Sequence, residues 1–100
     1  WALRTRIAAL VDDPTVDGVV VTHGTDTLEE TAYLVARSVD ARKPVVFTGA
    51  MRAASDLGYD GPQNLLDAVR VAAAPESRGH GVLVVMGARV FAALEDTKSH

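Results

Sequence analysis

Val19-Val20-Val21-Thr22-His23-Gly24-Thr25-Asp26-Thr27-Leu28-Glu29-Glu30 is the stretch on which the fold turns. It opens on a β-branched run that is apolar on both faces, as in a central strand of a helix-covered parallel sheet. Asp17-Gly18 turns the chain into that run, and Gly24 opens a short polar loop behind it. Thr27, with Glu30 three residues on, has the spacing of a capping box at the head of a helix. Leu28, Ala32 and Val35 would line the buried face of this helix. Arg37 falls near its carboxyl end, where the helix dipole favours a cation.

The same grammar extends in both directions. Upstream, Leu3, Ile7, Leu10 and Val11 recur on one helical face until Asp12-Asp13-Pro14 stops the pattern. Downstream, Val45-Val46-Phe47-Thr48 follows Lys43-Pro44, and Val82-Leu83-Val84-Val85-Met86 follows Gly79-His80-Gly81. Between them a helix begins around Asp60-Gly61-Pro62-Gln63, with Pro62 acceptable in a first turn that has no use for its missing N–H. Leu65, Leu66, Val69, Ala72 and Ala73 are its expected buried stripe, and Pro75 ends it. Strand, helix, strand, helix, strand predicts an α/β fold, a parallel-sheet three-layer βαβαβ core. In such sheets ligands sit outside the carboxyl ends of the strands. Three segments leave the sheet there: Thr22 to Thr27, Thr48 to Arg52, and Gly87 onward to Lys98.

Composition narrows the partners. One hundred residues, 48% hydrophobic and 23% charged, suit one globular domain. A net charge of −3 argues against a nucleic-acid surface. No apolar run approaches the roughly 20 residues of a membrane span, so neither nucleic acid nor membrane is expected as a partner. With no cysteine there is no disulfide and no thiolate zinc site. His23, His80 and His100 are not spaced as ligands, and the dinucleotide and triphosphate glycine motifs are missing, so neither metal nor cofactor is expected.

The loop after the first strand carries the chemistry. Gly24 followed by a helix start presents backbone N–H groups, which suit an anion. Asp26 beside them would repel a phosphate. A ligand bearing both signs reconciles the two, its carboxylate on the amides and its ammonium on Asp26, and an amino-acid zwitterion is such a ligand. The plainer alternative makes Gly24 a turn, Asp26 a helix-entry residue and Thr27 a cap. His23 reads as a structural histidine.

Val20 through Tyr33, with His23-Gly24-Thr25-Asp26-Thr27 at its centre, resembles the second signature of the bacterial-type L-asparaginases. The similarity continues, in order, through Lys43-Pro44-Val45-Val46, Gly49-Ala50-Met51-Arg52, Asp60-Gly61-Pro62 with Asn64-Leu65, Gly81 to Met86, and Asp96-Thr97-Lys98. The resemblance implies a cofactor-free amidohydrolase that takes asparagine and water to aspartate and ammonia. It implies catalytic roles for Thr25, Asp26 and Lys98, and substrate binding by Gly24, Thr25, Asp26 and Ala50. Asp26 would hold the substrate's α-ammonium, and the main-chain carbonyl of Ala50 would meet its side-chain amide. A threonine hydroxyl needs a neighbouring base to become a nucleophile, and Lys98 beside Thr25 is the candidate. Arg52 would pair with an acid or line the outer pocket, and Asp60 would cap its helix.

The resemblance also implies that residues 1–100 are part of an N-terminal domain. They lack the family's Gly-Gly-Thr-Ile segment, with its nucleophilic threonine, and its C-terminal domain. The family's dimers or tetramers place sites at subunit contacts, so a homo-oligomer of the full-length protein is expected, and the isolated chain is expected to be inactive. Any leader would precede Trp1, so localisation stays unknown, with a cytoplasmic form slightly favoured and an exported form still open. Departures cluster after Met86, where Gly87-Ala88 stands for a common Asn-Asp. The run from Arg89 to Glu95 also lacks a usual glycine and arginine, in the hairpin that delivers Lys98. Three alternatives remain: a glutaminase-asparaginase, an asparaginase-like tRNA amidotransferase subunit, or an inactive amino-acid-binding or oligomerisation module. Rates on both free amides, a requirement for charged tRNA, and aspartate binding without ammonia release distinguish them.

Overall fold

The computed structural model describes residues 1–50 and 61–94. The chain runs through α1 (Ala2–Asp12), β1 (Val19–Gly24), α2 (Leu28–Ser38), β2 (Val45–Ala50) and α3 (Gly61–Ala73). A short 3-10 turn at Pro75–Ser77 leads to β3 (Val82–Met86) and β4 (Arg89–Ala92). The sheet order is β1-β2-β3-β4. β1 pairs parallel with β2 in the register Val19↔Val45 to Gly24↔Ala50, and β2 pairs parallel with β3 from Val45↔Val82 to Thr48↔Val85. The α/β class and the three parallel strands match the expectation. β4 is an addition: it pairs antiparallel with β3, Met86 opposite Arg89 and Leu83 opposite Ala92. Four partly exposed residues are too short a run to show an alternating pattern in sequence.

Alternation along the strands builds two cores. Val19, Val45, Phe47, Val82 and Val84 point to one face, where Ile7 and Val11 of α1 and Leu28, Ala32 and Val35 of α2 close over them. Val46, Leu83 and Val85 point to the other, against Ala68 and Ala72 of α3. Phe47 has no exposed surface, and truncating so buried an aromatic costs about 3–5 kcal/mol.

α3 is rotated from its expected face. Leu65, Leu66 and Val69 are 44%, 43% and 49% exposed, whereas Asn64, Ala68 and Ala72 are buried. Only Ala72 of the predicted stripe is buried. The small side chains at 68 and 72 let the helix backbone approach the sheet closely enough that a β-carbon on Gly18 would lie 2.6 Å from the Ala72 carbonyl oxygen. Larger residues would hold it off.

The capping box at the head of α2 does not form. Thr27 is the N-cap residue, but its backbone (φ −124°, ψ 15°) is not extended, and its side chain makes no capping hydrogen bond. An extended N-cap backbone is what aims the hydroxyl at the first-turn amides. At the opposite edge of the sheet the helix ends are tied down. Arg4 donates to the Ser38 carbonyl at 2.9 Å, Lys43 donates to the Asp13 carbonyl, and Arg42 pairs with Asp12. Asp13 accepts both the hydroxyl and the N–H of Thr15, at 2.7 and 2.8 Å, and these bonds hold its carboxyl below the ordinary value.

Candidate active site

The register of β1 on β2 assembles the site. Gly24 and Ala50 are cross-strand partners at the carboxyl ends of their strands. The loop carrying Thr25 and Asp26 therefore leaves the sheet beside the main chain of Ala50. Both Thr25 and Asp26 are solvent-exposed, in the turn between β1 and α2. Thr25 lies over Gly49: a β-carbon there would come within 2.9 Å of the Thr25 methyl and 2.8 Å of Met86 Sδ and Cε. Only a glycine lets the first loop, the end of β2 and the end of β3 meet.

Polar contacts lock this meeting point. The N–H of Gly49 donates to Met86 Sδ at 3.0 Å, and the Thr48 hydroxyl donates to the Val85 carbonyl at 2.8 Å. Asn64, 1% exposed in the first turns of α3, accepts the N–H of Gly87 at 3.1 Å through Oδ1. Gly87 and Ala88, with φ of 57° and 64°, turn β3 into β4. His23 is held as a structural residue. Its Nδ1 lies 2.9 Å from the Gly24 carbonyl oxygen, and its ring tilts against Phe47 at 6.4 Å between centroids.

A cleft of about 240 Å³ opens beside Thr25, floored by Leu28, Val84, Met86 and Phe91 and flanked by Glu29. Larger hollows of about 480 and 450 Å³ lie around the start of β3, near His80 and Gly81, away from Thr25 and Asp26. The smaller cleft lies at the carboxyl ends of the strands, where ligands of parallel sheets bind, and of Gly24, Thr25, Asp26 and Ala50 it is Thr25 that lines it. Among the described residues no group of His, Cys, Asp and Glu could hold a metal ion, and no helix is long and apolar enough to cross a membrane. Lys98, Arg52 and Asp60 lie outside the described residues.

A family model described as "Asparaginase, N-terminal" matches residues 1–100, the whole chain. The chain belongs to the asparaginase family. It is 51% identical to "L-asparaginase 2" of Bacillus subtilis over 98 residues, 98% of this chain and 26% of that protein. It is 55% identical to "Probable L-asparaginase" of Deinococcus radiodurans over 84 residues, 84% of this chain and 26% of that protein. It is 45% identical to "Glutaminase-asparaginase" of Acinetobacter glutaminasificans over 97 residues, 97% of this chain and 29% of that protein. The chain thus spans about a quarter of the length of these curated relatives.

In this asparaginase chain the sequence singles out the loop residues but not the scaffold under them. Gly49 was noticed only as part of a motif, and Met86 only as the end of a strand. Asn64 carried a usable signal. Asn64, Ala68 and Ala72 are spaced four apart, and a short polar residue heading a small-residue stripe marks a helix face pressed close to something that needs a hydrogen bond.

Proposed function

We propose that the protein carrying this chain is an L-asparaginase, hydrolysing the side-chain amide of L-asparagine to L-aspartate and ammonia. The observation that carries the reading is the Gly24↔Ala50 pairing, which sets Thr25 and Asp26 beside the Ala50 backbone on the ligand-binding edge. Relatives named L-asparaginase at about half identity support it. Asp26 is exposed to an incoming ligand and takes the α-ammonium. The unbonded first-turn amides of α2 favour the α-carboxylate. The Ala50 carbonyl accepts an N–H of the scissile amide and orients it.

Thr25 and Lys98 move the protons. Lysine serves as a base when desolvation or a neighbouring cation lowers its affinity for a proton. A hydroxyl oxygen then adds to the amide carbon and its proton passes to the base. Collapse of the tetrahedral adduct returns a proton to the leaving nitrogen, which departs as ammonia, and water cleaves the acyl intermediate. The attacking hydroxyl belongs either to Thr25 or to a threonine of a Gly-Gly-Thr-Ile segment outside this chain. The reading requires Lys98 to regain the site edge, since β4 carries the chain back toward the start of β3. Lys98 is six positions beyond Ala92, a reach of up to about 20 Å, enough to double back along a four-residue strand.

Asp26→Ala in the complete protein tests the assignment. Ammonia release from asparagine should fall by about a thousandfold or more, because the substrate loses both its anchor and its orientation; near-normal turnover would sink the reading. A second reading, activity on glutamine as well, is favoured by the similarity to "Glutaminase-asparaginase". Comparing kcat/KM on the two amides decides between them. The binding-module alternative would show calorimetric aspartate binding with no ammonia released. We also propose that residues 1–100 form part of an N-terminal domain and that the site is completed within a homo-oligomer.

A further inference from the structure

We propose that Asn64 is a positioning residue of the amidase site, holding the Gly49–Ala50 backbone in register through Met86 and Gly87. The inference rests on the asparaginase reading above, which assigns the Ala50 carbonyl to the scissile amide. Asn64 comes from α3 on one face of the sheet, and Thr25 approaches from the loop before α2. The two are joined by a short relay. Asn64 Oδ1 accepts the Gly87 N–H at 3.1 Å, which fixes the backbone at the end of β3. Met86, the residue before, turns its sulfur to the N–H of Gly49 at 3.0 Å, and Asn64 Nδ2 approaches the same sulfur at 4.0 Å. Gly49 in turn lies under the Thr25 methyl and directly precedes Ala50.

Burial gives the relay its force. Asn64 is 1% exposed, and a buried amide is retained where its hydrogen bonds hold something that apolar packing would not. The position is otherwise one for a small apolar residue, as its helical neighbours Ala68 and Ala72 show. The Gly49 N–H has Met86 sulfur as its acceptor. A shift of the hairpin tip is therefore passed to the carbonyl one residue further along β2. Displacements of about 1 Å at a reacting centre cost on the order of a hundredfold in rate.

Asn64→Leu and the volume-conserving Met86→Leu, both made in the complete protein, test the relay. Three quantities are read: kcat and KM for asparagine, aspartate affinity by calorimetry, and amide hydrogen exchange at Gly49. Aspartate lacks the amide N–H that Ala50 would accept, so its affinity follows Asp26 and not Ala50. In both variants kcat should fall about tenfold or more while aspartate affinity stays within about twofold, and Gly49 should exchange about tenfold faster. Turnover and Gly49 exchange at wild-type levels in either variant overturn the inference. A loss of kcat matched by loss of aspartate affinity overturns it too, since that marks general damage. If Asn64→Leu fails to fold, Met86→Leu decides. An inactive wild type defeats the asparaginase reading, and Gly49 exchange then still decides whether Asn64 holds the strand end.

Discussion

Gly49 is pressed from two sides by groups of unequal compliance. Met86 ends in a thioether that can swing away, whereas the Thr25 methyl sits on a short β-branched side chain, stiff at χ1, with fewer ways to yield. A methyl at position 49 would therefore displace the loop before it displaced the core. Gly49→Ala should lower stability by about 1–2 kcal/mol, read by denaturant unfolding. The same substitution should lower ammonia release by about a hundredfold. Equal, small effects on both would mean that Thr25 does not depend on this contact. The loop itself was legible, because polar residues interrupting an apolar strand pattern stand out in sequence. The tight contact beneath it was not, since a close approach between segments distant in the chain has no local signature beyond the glycine.

At the scale of elements, the β3–β4 connection bears a conformational cost. Gly87 and Ala88 both have positive φ, as a two-residue hairpin loop of the type I′ class demands. Gly87 adopts this freely, but Ala88 at 64° brings its β-carbon against the following carbonyl, worth roughly 1–2 kcal/mol. Ala88→Gly relieves it, less about 0.5–1 kcal/mol for the greater freedom of the unfolded chain. A net gain of about 0.5–1 kcal/mol in chemical denaturation, with turnover unchanged, is the expected outcome. No gain, or a loss, would show that the turn is not strained. The rotation of α3 was hidden for a related reason. Hydropathy ranks leucine and valine as core, yet Leu65, Leu66 and Val69 stay exposed because the sheet accepts only the narrow face of Asn64, Ala68 and Ala72. Helix existence follows from local pattern; helix rotation follows from the shape of what it meets.

In the whole molecule, two cores share one sheet but are unequally covered. Among the described residues, α1 and α2 close over one face and α3 lies on the other. The parallel order was legible because strand and helix patterns alternate, and parallel neighbours need a crossover between them. The alignment of Gly24 with Ala50 was not, since a slip between two strands apolar on both faces leaves hydrophobicity nearly unchanged.

That pairing also has a consequence in time. Val19 finds Val45, and Val45 finds Val82, only by closing long loops, whereas Met86 meets Arg89 across a two-residue turn. Loop closure must be achieved before distant contacts reward it. The β3–β4 hairpin should therefore gain hydrogen-exchange protection early in refolding, and β1 late. Pulse labelling that finds Val20 and Val21 protected before Val84 and Val85 would reverse this order. If it holds, the edge proposed to bind substrate is among the last parts of the fold to exist. Recovery of activity would then trail the recovery of secondary structure, and a chain interrupted during folding would hold most of its helices with no site to show for them.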